Sequence, residues 1–388
     1  MSDSKIYCDN LSTTFVHPEV INAMNSFMEG NPGNPSSNHD LGRIASEKVE
    51  ASRGYIANFI GANKNEIIFT SSATESNNLA ILGTIDKLKN ITDKKTILIS
   101  SIEHPAVTNP VIILGEKGYN VVTINCNQDG LIDINDLEYK LNDDVILVSI
   151  MLVNNELGTI QPLEKITKLI RNSGGAIIHT DAAQAIGKIP LDVNSLDVDL
   201  MSFSSHKMCG PKGIGGLFIK NGPLNFPINP ILLGGEQEHG IRSSTLNVPG
   251  IIGFAESCKI AKQSLDSDAD RISKMRDKIE FELKEQIPDI TISGENSPRI
   301  PGGSNFTIKG INGDALVSHL NDVEMSTGSA CKSGAPTPSH VLIAIGKTRD
   351  EADCTARFCL SSDNSDDEIP IIVSDIVQAY QKIKSLNE

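Results

Sequence analysis

No window of this 388-residue chain approaches the ~20 consecutive apolar residues that cross a bilayer. The opening residues, Met1-Ser2-Asp3-Ser4-Lys5, have no apolar core of the kind a secretory signal needs. Positive charge is also scarce: 34 Lys and Arg face 49 Asp and Glu, for a net charge of −15. That balance argues against a nucleic-acid or anionic-membrane surface as the main binding mode. Any link to DNA or RNA is expected to run through a partner protein, and no direct membrane contact is expected. Paired cysteines are missing too. The seven present are odd in number and irregular in spacing, with no Cys-x-x-Cys. A disulfide framework or zinc knuckle is therefore not expected, and the expected compartment is the reducing cytoplasm. No repeat period or low-complexity tract appears.

What is present is alternation. Glu66–Thr70, Thr96–Ser100, Asn120–Ile124 and Val145–Ile150 are short apolar runs separated by helical patterns. Runs of that kind suit strands covered on both faces of a mostly parallel sheet. Helices are read over His17–Glu29 and from Asp40 to Ala62, with a loop at Asn31–Ser37. After Pro249 the pattern changes to a long helix over Ile251–Ile287. There follow a strand at Asn305–Ile308, a helix from Asp314 to Leu320, a strand at Ala356–Leu360 and a final helix near Asp367–Ile383. The fold class expected is α/β, with a large domain over 15–255 and a smaller α+β domain over 1–14 and 256–388.

The chemistry centres on Ser202-Phe203-Ser204-Ser205-His206-Lys207, where an apolar run stops in a hydroxyl-rich turn. Such strand ends are where open α/β sheets bind ligands, and an amine there can form a Schiff base with an aldehyde cofactor. Ile177–Asp181 is a second strand that ends in an acid, with Gln184 three positions on. Pyridoxal 5'-phosphate needs an acid against its ring nitrogen, so Asp181 and Lys207 in this order point to that cofactor. An Asp in that position is also a common helix cap. Ser71–Asn78 opens a helix with small hydroxyl residues, including Ala73 and Thr74, and suits a phosphate. Ser72 and Glu75 also have the spacing of a capping box. His104 follows another strand and can stack on a planar ring or exchange protons. The Asn154-Asn155 amides can hold a ring hydroxyl or a substrate carboxylate, and Asn34 sits in a loop that can reach the site. Arg357 suits a carboxylate clamp or an ordinary ion pair. Arg242-Ser243-Ser244-Thr245 is a polar loop of the type that binds anions. Cys331 lies in a run of small residues, 326–336, that cannot pack a core. The run is read as an exposed, mobile loop, and Lys332 beside the thiol favours the nucleophilic thiolate.

Across nearly its whole length the chain resembles the class I (NifS/IscS-type) cysteine desulfurases of the fold-type I pyridoxal-phosphate transferases. The resemblance is carried by Asp9–Thr14, Gly33-Asn34-Pro35, Ser72–Ser76, Glu103-His104, Val153–Glu156, Asp181 with Gln184, Ser204–Lys207, Arg242–Thr245, Gly328–Cys331 and Arg357-Phe358. It implies a seven-stranded, mostly parallel sheet and a homodimer. Lys207 would carry the cofactor, Asp181 would face the ring nitrogen, Gln184 the ring hydroxyl, and His104 would stack on the ring and shuttle protons. Ala73, Thr74, Ser204 and His206 would surround the phosphate, with Thr245 reaching it from the other subunit. Asn155 and Arg357, with Asn34, would hold the carboxylate of L-cysteine. Cys331 would take the sulfur as a persulfide, release L-alanine, and pass the sulfur to an acceptor protein. An aminotransferase, selenocysteine lyase or Cβ–S lyase on the same scaffold is the alternative, and the cysteine loop speaks against it. Three departures stand out. Leu11 and Ser12 replace small residues, Ser361 replaces a glycine, and the tail is short for docking an iron–sulfur scaffold. Cluster supply, tRNA thiolation and DNA phosphorothioation all stay open as pathways.

Overall fold

The computed structural model describes residues 5–327 and 338–387. After a two-residue strand, β1 (Ile6–Tyr7), the apolar runs become β2 (Ile67–Thr70), β3 (Thr96–Ser100), β4 (Asn120–Ile124) and β5 (Val145–Ser149). Next come β6 (Ile177–Asp181), β7 (Leu200–Ser204) and β8 (Gly215–Ile219). These last seven strands form one sheet in the order β2-β8-β7-β6-β5-β3-β4. β8 runs antiparallel to both neighbours, and the other pairs are parallel. Every residue of β2, β3, β5, β7 and β8 is buried, which is why these strands read as continuous apolar runs instead of alternating ones.

The chain leaves β3 for β4 at the edge and returns to β5 on the other side of β3. That reversal opens a crevice at the carboxyl ends of β3 and β5, where open α/β sheets hold ligands. The segments after β2, β3, β5, β6 and β7 all emerge on this side, and each holds an expected site residue.

A second sheet joins β9 (Ile290–Ile292), β10 (Gly303–Ile308) and β12 (Thr355–Cys359) antiparallel in the order β12-β10-β9. The short strand β11 (Val323–Glu324) pairs in parallel with β1, which ties the N-terminus to the C-terminal part of the chain. The helix Val248–Gln286 links the two regions. Its first turns bury Val248, Ile251, Phe254 and Cys258 in the core of the large sheet. Its later turns bury Ile272, Met275, Ile279 and Leu283 against β10 and β12. β12 is a seam of the same kind, with Cys359 in the first core and Ala356 and Phe358 in the second. The expected helix at His17 starts one residue later, because His17 serves as the cap and accepts the Glu19 N–H.

Candidate active site

Lys207 ends a 3-10 turn, Ser205–Lys207, that follows β7. Its Nζ donates to the backbone carbonyls of Leu11 and Ser12, both at 2.6 Å. The N-terminal segment thus crosses back over the sheet edge and holds the amine with oxygens that only accept. Asp181 closes β6 and is 5% exposed. Its Oδ2 accepts from Asn77 Nδ2 at 2.7 Å and its Oδ1 from the Ala183 N–H at 2.9 Å. The carboxylate therefore has one orientation. Ser72, Thr74, His104, Asn155, Asp181, Gln184, His206 and Lys207 all line a cavity of about 210 Å³, together with Ala73 and Asn77.

His104 has two tasks in its local structure. It caps the helix Pro105–Glu116, and its Nδ1 accepts the Ala106 N–H at 3.0 Å. A neutral ring so tied carries its proton on Nε2. Burial, chiefly, pulls its pKa below the usual histidine value, and Lys207 and His340 act the same way while Asp181 opposes. Burial, together with Lys207, Lys212 and Lys188, brings His206 down to about 4, so its ring stays neutral near pH 7. Its Nδ1 lies 3.1 Å from Thr13 Oγ1. Burial pushes the neighbouring Glu103 carboxyl up to about 8, although Ser100 Oγ and the Met151 N–H (2.7 Å) both donate to its Oε1.

The helix after β2 starts at Ala73, with Ser72 as its cap accepting the Glu75 N–H at 3.3 Å. The Glu75 carboxylate does not close a capping box. It accepts from the Ser71 N–H at 2.7 Å and from Arg242 Nε at 2.8 Å. Burial works against the charge of Glu75, but these donors outweigh it and hold the carboxyl below its usual range. Arg242 thereby clamps the start of this helix. β8 passes directly beneath: a Cβ on Gly215 would come within 2.7 Å of the Ser72 carbonyl carbon. Only glycine permits that approach. The first N–H groups of such a helix have no partners within it and favour an anion.

Arg357, on β12, reaches across the seam. Its Nη1 donates to the Asn155 carbonyl at 2.6 Å, and its Nη2 donates to Asp9 Oδ1 (2.8 Å), Ser326 Oγ (2.9 Å) and Ser12 Oγ (3.0 Å). Arg357 Nε and Asn155 Oδ1 are both buried without a hydrogen-bond partner. Orphan atoms of this kind are what a bound polar molecule satisfies.

Four expected site residues lie off the cavity wall, Arg357 among them, which reaches the wall only through the Asn155 carbonyl. Ser204 is buried, and its hydroxyl turns to the Ile214 carbonyl at 3.4 Å. Asn34 and Thr245 are exposed and together line a different hollow beside Phe27 and Met28. Cys331 lies outside the described residues. The residues flanking its segment touch the site: Ser339 Oγ donates to Glu156 Oε2 at 2.6 Å, and His340 Nε2 donates to the Glu103 carbonyl at 2.8 Å. Ser361 is absent from the positive-φ residues, so this turn needs no glycine. Residue patterns did not single out Asn77, although it lies one helical turn beyond Ala73. Asp9 is marked only as part of the family-like stretch Asp9–Thr14, and Ser326 and the Leu11 and Ser12 carbonyls leave no comparable signal.

An amine, a twice-anchored carboxylate, a helix-capping histidine and a helix start around one cavity, with an orphan amide oxygen on Asn155 in its wall, form a donor set that fits pyridoxal phosphate. The aminotransferase class-V family model matches residues 6–372. The cysteine desulfurase IscS of Dictyoglomus turgidum is 38% identical, over 99% of this chain and 96% of its own length. A solved NifS-like protein superposes with a TM-score of 0.90 at 34% identity, covering 97% of this chain and 99% of that one. A structure of SspA in complex with cysteine gives a TM-score of 0.81 at 32% identity, covering 92% and 99%. Family, relatives and geometry agree, and the chain belongs to the aminotransferase class-V family as one of its pyridoxal-phosphate-dependent cysteine desulfurases.

Proposed function

We propose that this chain takes sulfur from L-cysteine onto Cys331, releases L-alanine, and hands the sulfur to an acceptor protein. The observation that carries this reading is the convergence of Lys207, Asp181 and His104 on one cavity. Pyridoxal 5'-phosphate, when bound, supplies the electron sink that lets the Cα proton and then the Cβ–S bond give way.

The chain's own residues do the rest. Lys207 would bind the cofactor and exchange protons at Nζ. Asp181, held by Asn77 and Ala183, would keep a proton on the ring nitrogen. His104 would stack on the ring, with its proton on Nε2 and Nδ1 committed to Ala106. Gln184 would face the ring oxygen. Ala73, Thr74 and His206 would bind the phosphate, Ser204 would support that turn from behind, and Asn155 with Arg357 would bind the substrate carboxylate. The Cys331 thiolate attacks the substrate sulfur, so that cysteine plus enzyme thiol become alanine plus enzyme persulfide. Burial pushes the thiols of Cys8, Cys126, Cys209, Cys258 and Cys359 up, which makes them poor acceptors. Asn34 and Thr245, exposed and away from this chain's cavity, fit a homodimer in which they serve the neighbouring copy's site. Residues 15–255 would form the large domain, and 1–14 with 256–388 the small one.

Mass spectrometry after incubation with cysteine is the test. Sulfur is expected on the peptide holding Cys331, and Cys331→Ser is expected to keep the cofactor absorbance while losing the persulfide. Sulfur on Cys354 or Cys359, or alanine released by Cys331→Ser at the wild-type rate, would point to a lyase that frees sulfide.

A further inference from the structure

Lys188 lies four residues beyond Gln184, and the mechanism above makes no use of it. Its Nζ donates to Gln184 Oε1 at 2.9 Å, while Gln184 Nε2 donates to the Leu11 carbonyl at 2.8 Å. The two ends of a carboxamide are nearly equal in shape, so packing alone does not decide which end faces where. Here the geometry decides it from both sides, because the Lys188 nitrogen donates to one end of the amide and the Leu11 carbonyl only accepts from the other. Among the described residues Gln184 is the one hydrogen-bond partner of this ammonium. Burial, chiefly, with Arg357 acting the same way, pulls its pKa below the usual lysine value, while Cys359 on β12 and Cys209 after the Lys207 turn oppose.

The Leu11 carbonyl is a shared corner, since it also accepts from Lys207 Nζ at 2.6 Å. Condensation of the Lys207 amine with an aldehyde takes protons from that nitrogen and loosens the corner. Lys188 is then the partner of the amide that chemistry at Lys207 leaves in place. Gln184 Nε2 carries a second N–H beyond the one given to Leu11, and the residue lines the cavity.

We propose that Lys188 is a positioning residue, which holds Gln184 Oε1 so that the amide can present only N–H to an oxygen on the cofactor ring. The proposal rests on the pyridoxal phosphate reading of the site. It makes the proton affinity at Lys207 depend on an ammonium that touches neither the cofactor nor the substrate.

Two titrations test it on wild type, Lys188→Met, Gln184→Ala and the double variant. One follows the visible absorbance of the holoprotein with pH, and the other adds pyridoxal phosphate to apoprotein. Lys188→Met frees the amide to turn its oxygen to the ring. Binding is expected to weaken about fivefold, the worth of one net hydrogen bond. The absorbance titration is expected to move to higher pH, because a ring oxygen without its N–H donor holds more tightly a proton shared with the Lys207 nitrogen. In the Gln184→Ala background the same substitution is expected to add nothing, since the group it acts through is gone. Lys188→Arg, still a donor-only cation, restores the wild-type titration. Lys188→Leu, which offers Gln184 no donor, shifts the titration as methionine does, and replaces the methionine variant if that one does not fold. Wild-type values in Lys188→Met, or full additivity with Gln184→Ala, overturn the proposal and leave Lys207 untouched. Wild-type protein that binds no pyridoxal phosphate overturns the reading of the site instead.

Discussion

Two histidines, one in the middle of the large sheet and one at its carboxyl edge, are both shielded from solvent and both kept neutral. His179 is fully buried in β6, with Nδ1 2.8 Å from Ser149 Oγ and Nε2 3.1 Å from Ser202 Oγ on the flanking strands. Burial brings it down to about 3. His104 sits just past β3, with Nδ1 tied to the Ala106 N–H and Nε2 without a hydrogen-bond partner among the described residues. The same side chain is structural where the fold satisfies both nitrogens and available for chemistry where it satisfies one. Asp181 repeats the pattern one strand over: it is held firmly by Asn77 and Ala183, yet it lines the cavity. At this edge the fold spends its hydrogen bonds on orientation and leaves an atom for the ligand.

If that contrast is right, substitutions at the edge should destroy activity with little loss of stability, and those in the middle should do the reverse. Lys207→Ala is expected to have the largest effect, with no visible cofactor absorbance and no alanine release from cysteine, while the protein stays folded. Absorbance spectra and an alanine assay decide it, and normal turnover would sink the assignment. Asp181→Asn comes next, with some cofactor retained and the rate down by several orders of magnitude, because only a carboxylate keeps the ring nitrogen protonated. Asn77→Ala, which removes one of the two anchors of that carboxylate, is expected to cost only about tenfold. A loss as deep as that of Asp181→Asn would mean that Asn77 does more than orient.

His179→Phe probes the other half of the contrast. It leaves the Ser149 and Ser202 hydroxyls without their partner and is expected to cost about 2 kcal/mol at neutral pH, with cofactor affinity unchanged. Its pH signature follows from the direction of the shift. The folded-state value of about 3 lies below the unfolded value near ~6.5. The unfolded chain therefore takes up a proton that the folded chain refuses. The resulting stability is fully present above ~6.5 and is lost as pH falls from there toward about 3. Melting temperatures measured between pH 7 and pH 4 are expected to fall less steeply in the variant. An unchanged slope would show that His179 is not the group titrating.

The strands were the most legible part of the chain. β3 and β4 occupy the residues their apolar runs mark: β3 is buried along its whole length, which leaves it no other composition, whereas β4 at the sheet edge buries only Ile124 and is marked by its β-branched residues. The strand-end residues Lys207, Asp181 and His104 were legible because each follows such a run and carries a functional group that a core would not tolerate unpaired. The anchors were not legible. Asn77 meets Asp181 across 104 residues of sequence, and Arg357 meets Asp9 across 348. A carbonyl such as that of Leu11 has no side-chain signature at all. Ser72 and Glu75 have the spacing of a capping box, yet Arg242, 167 residues away, takes up the carboxylate. Spacing reports local competition for hydrogen bonds and says nothing of a distant arginine.

The smallest effect is expected where the sequence departs from the family pattern, at Leu11 and Ser12. Both hold the Lys207 amine through backbone carbonyls, so the side chains are free of that task. Leu11 spends its side chain in the core of the large sheet, at 1% exposure. Ser12 spends its hydroxyl on Arg357 Nη2 at 3.0 Å, alongside Asp9 and Ser326. Ser12→Ala therefore removes one of three acceptors from that nitrogen and nothing from the amine. The cofactor absorbance and its pH titration are expected to stay at wild-type values. The guanidinium, still held by Asp9, Ser326 and the Asn155 carbonyl, loses some precision toward the substrate carboxylate. KM for cysteine is expected to rise about two- to fivefold at constant kcat, the worth of a fraction of one net hydrogen bond. A shifted absorbance titration would show instead that the residue 12 side chain shapes the carbonyl corner around Lys207. The edge would then be tuned by side chains as well as by backbone.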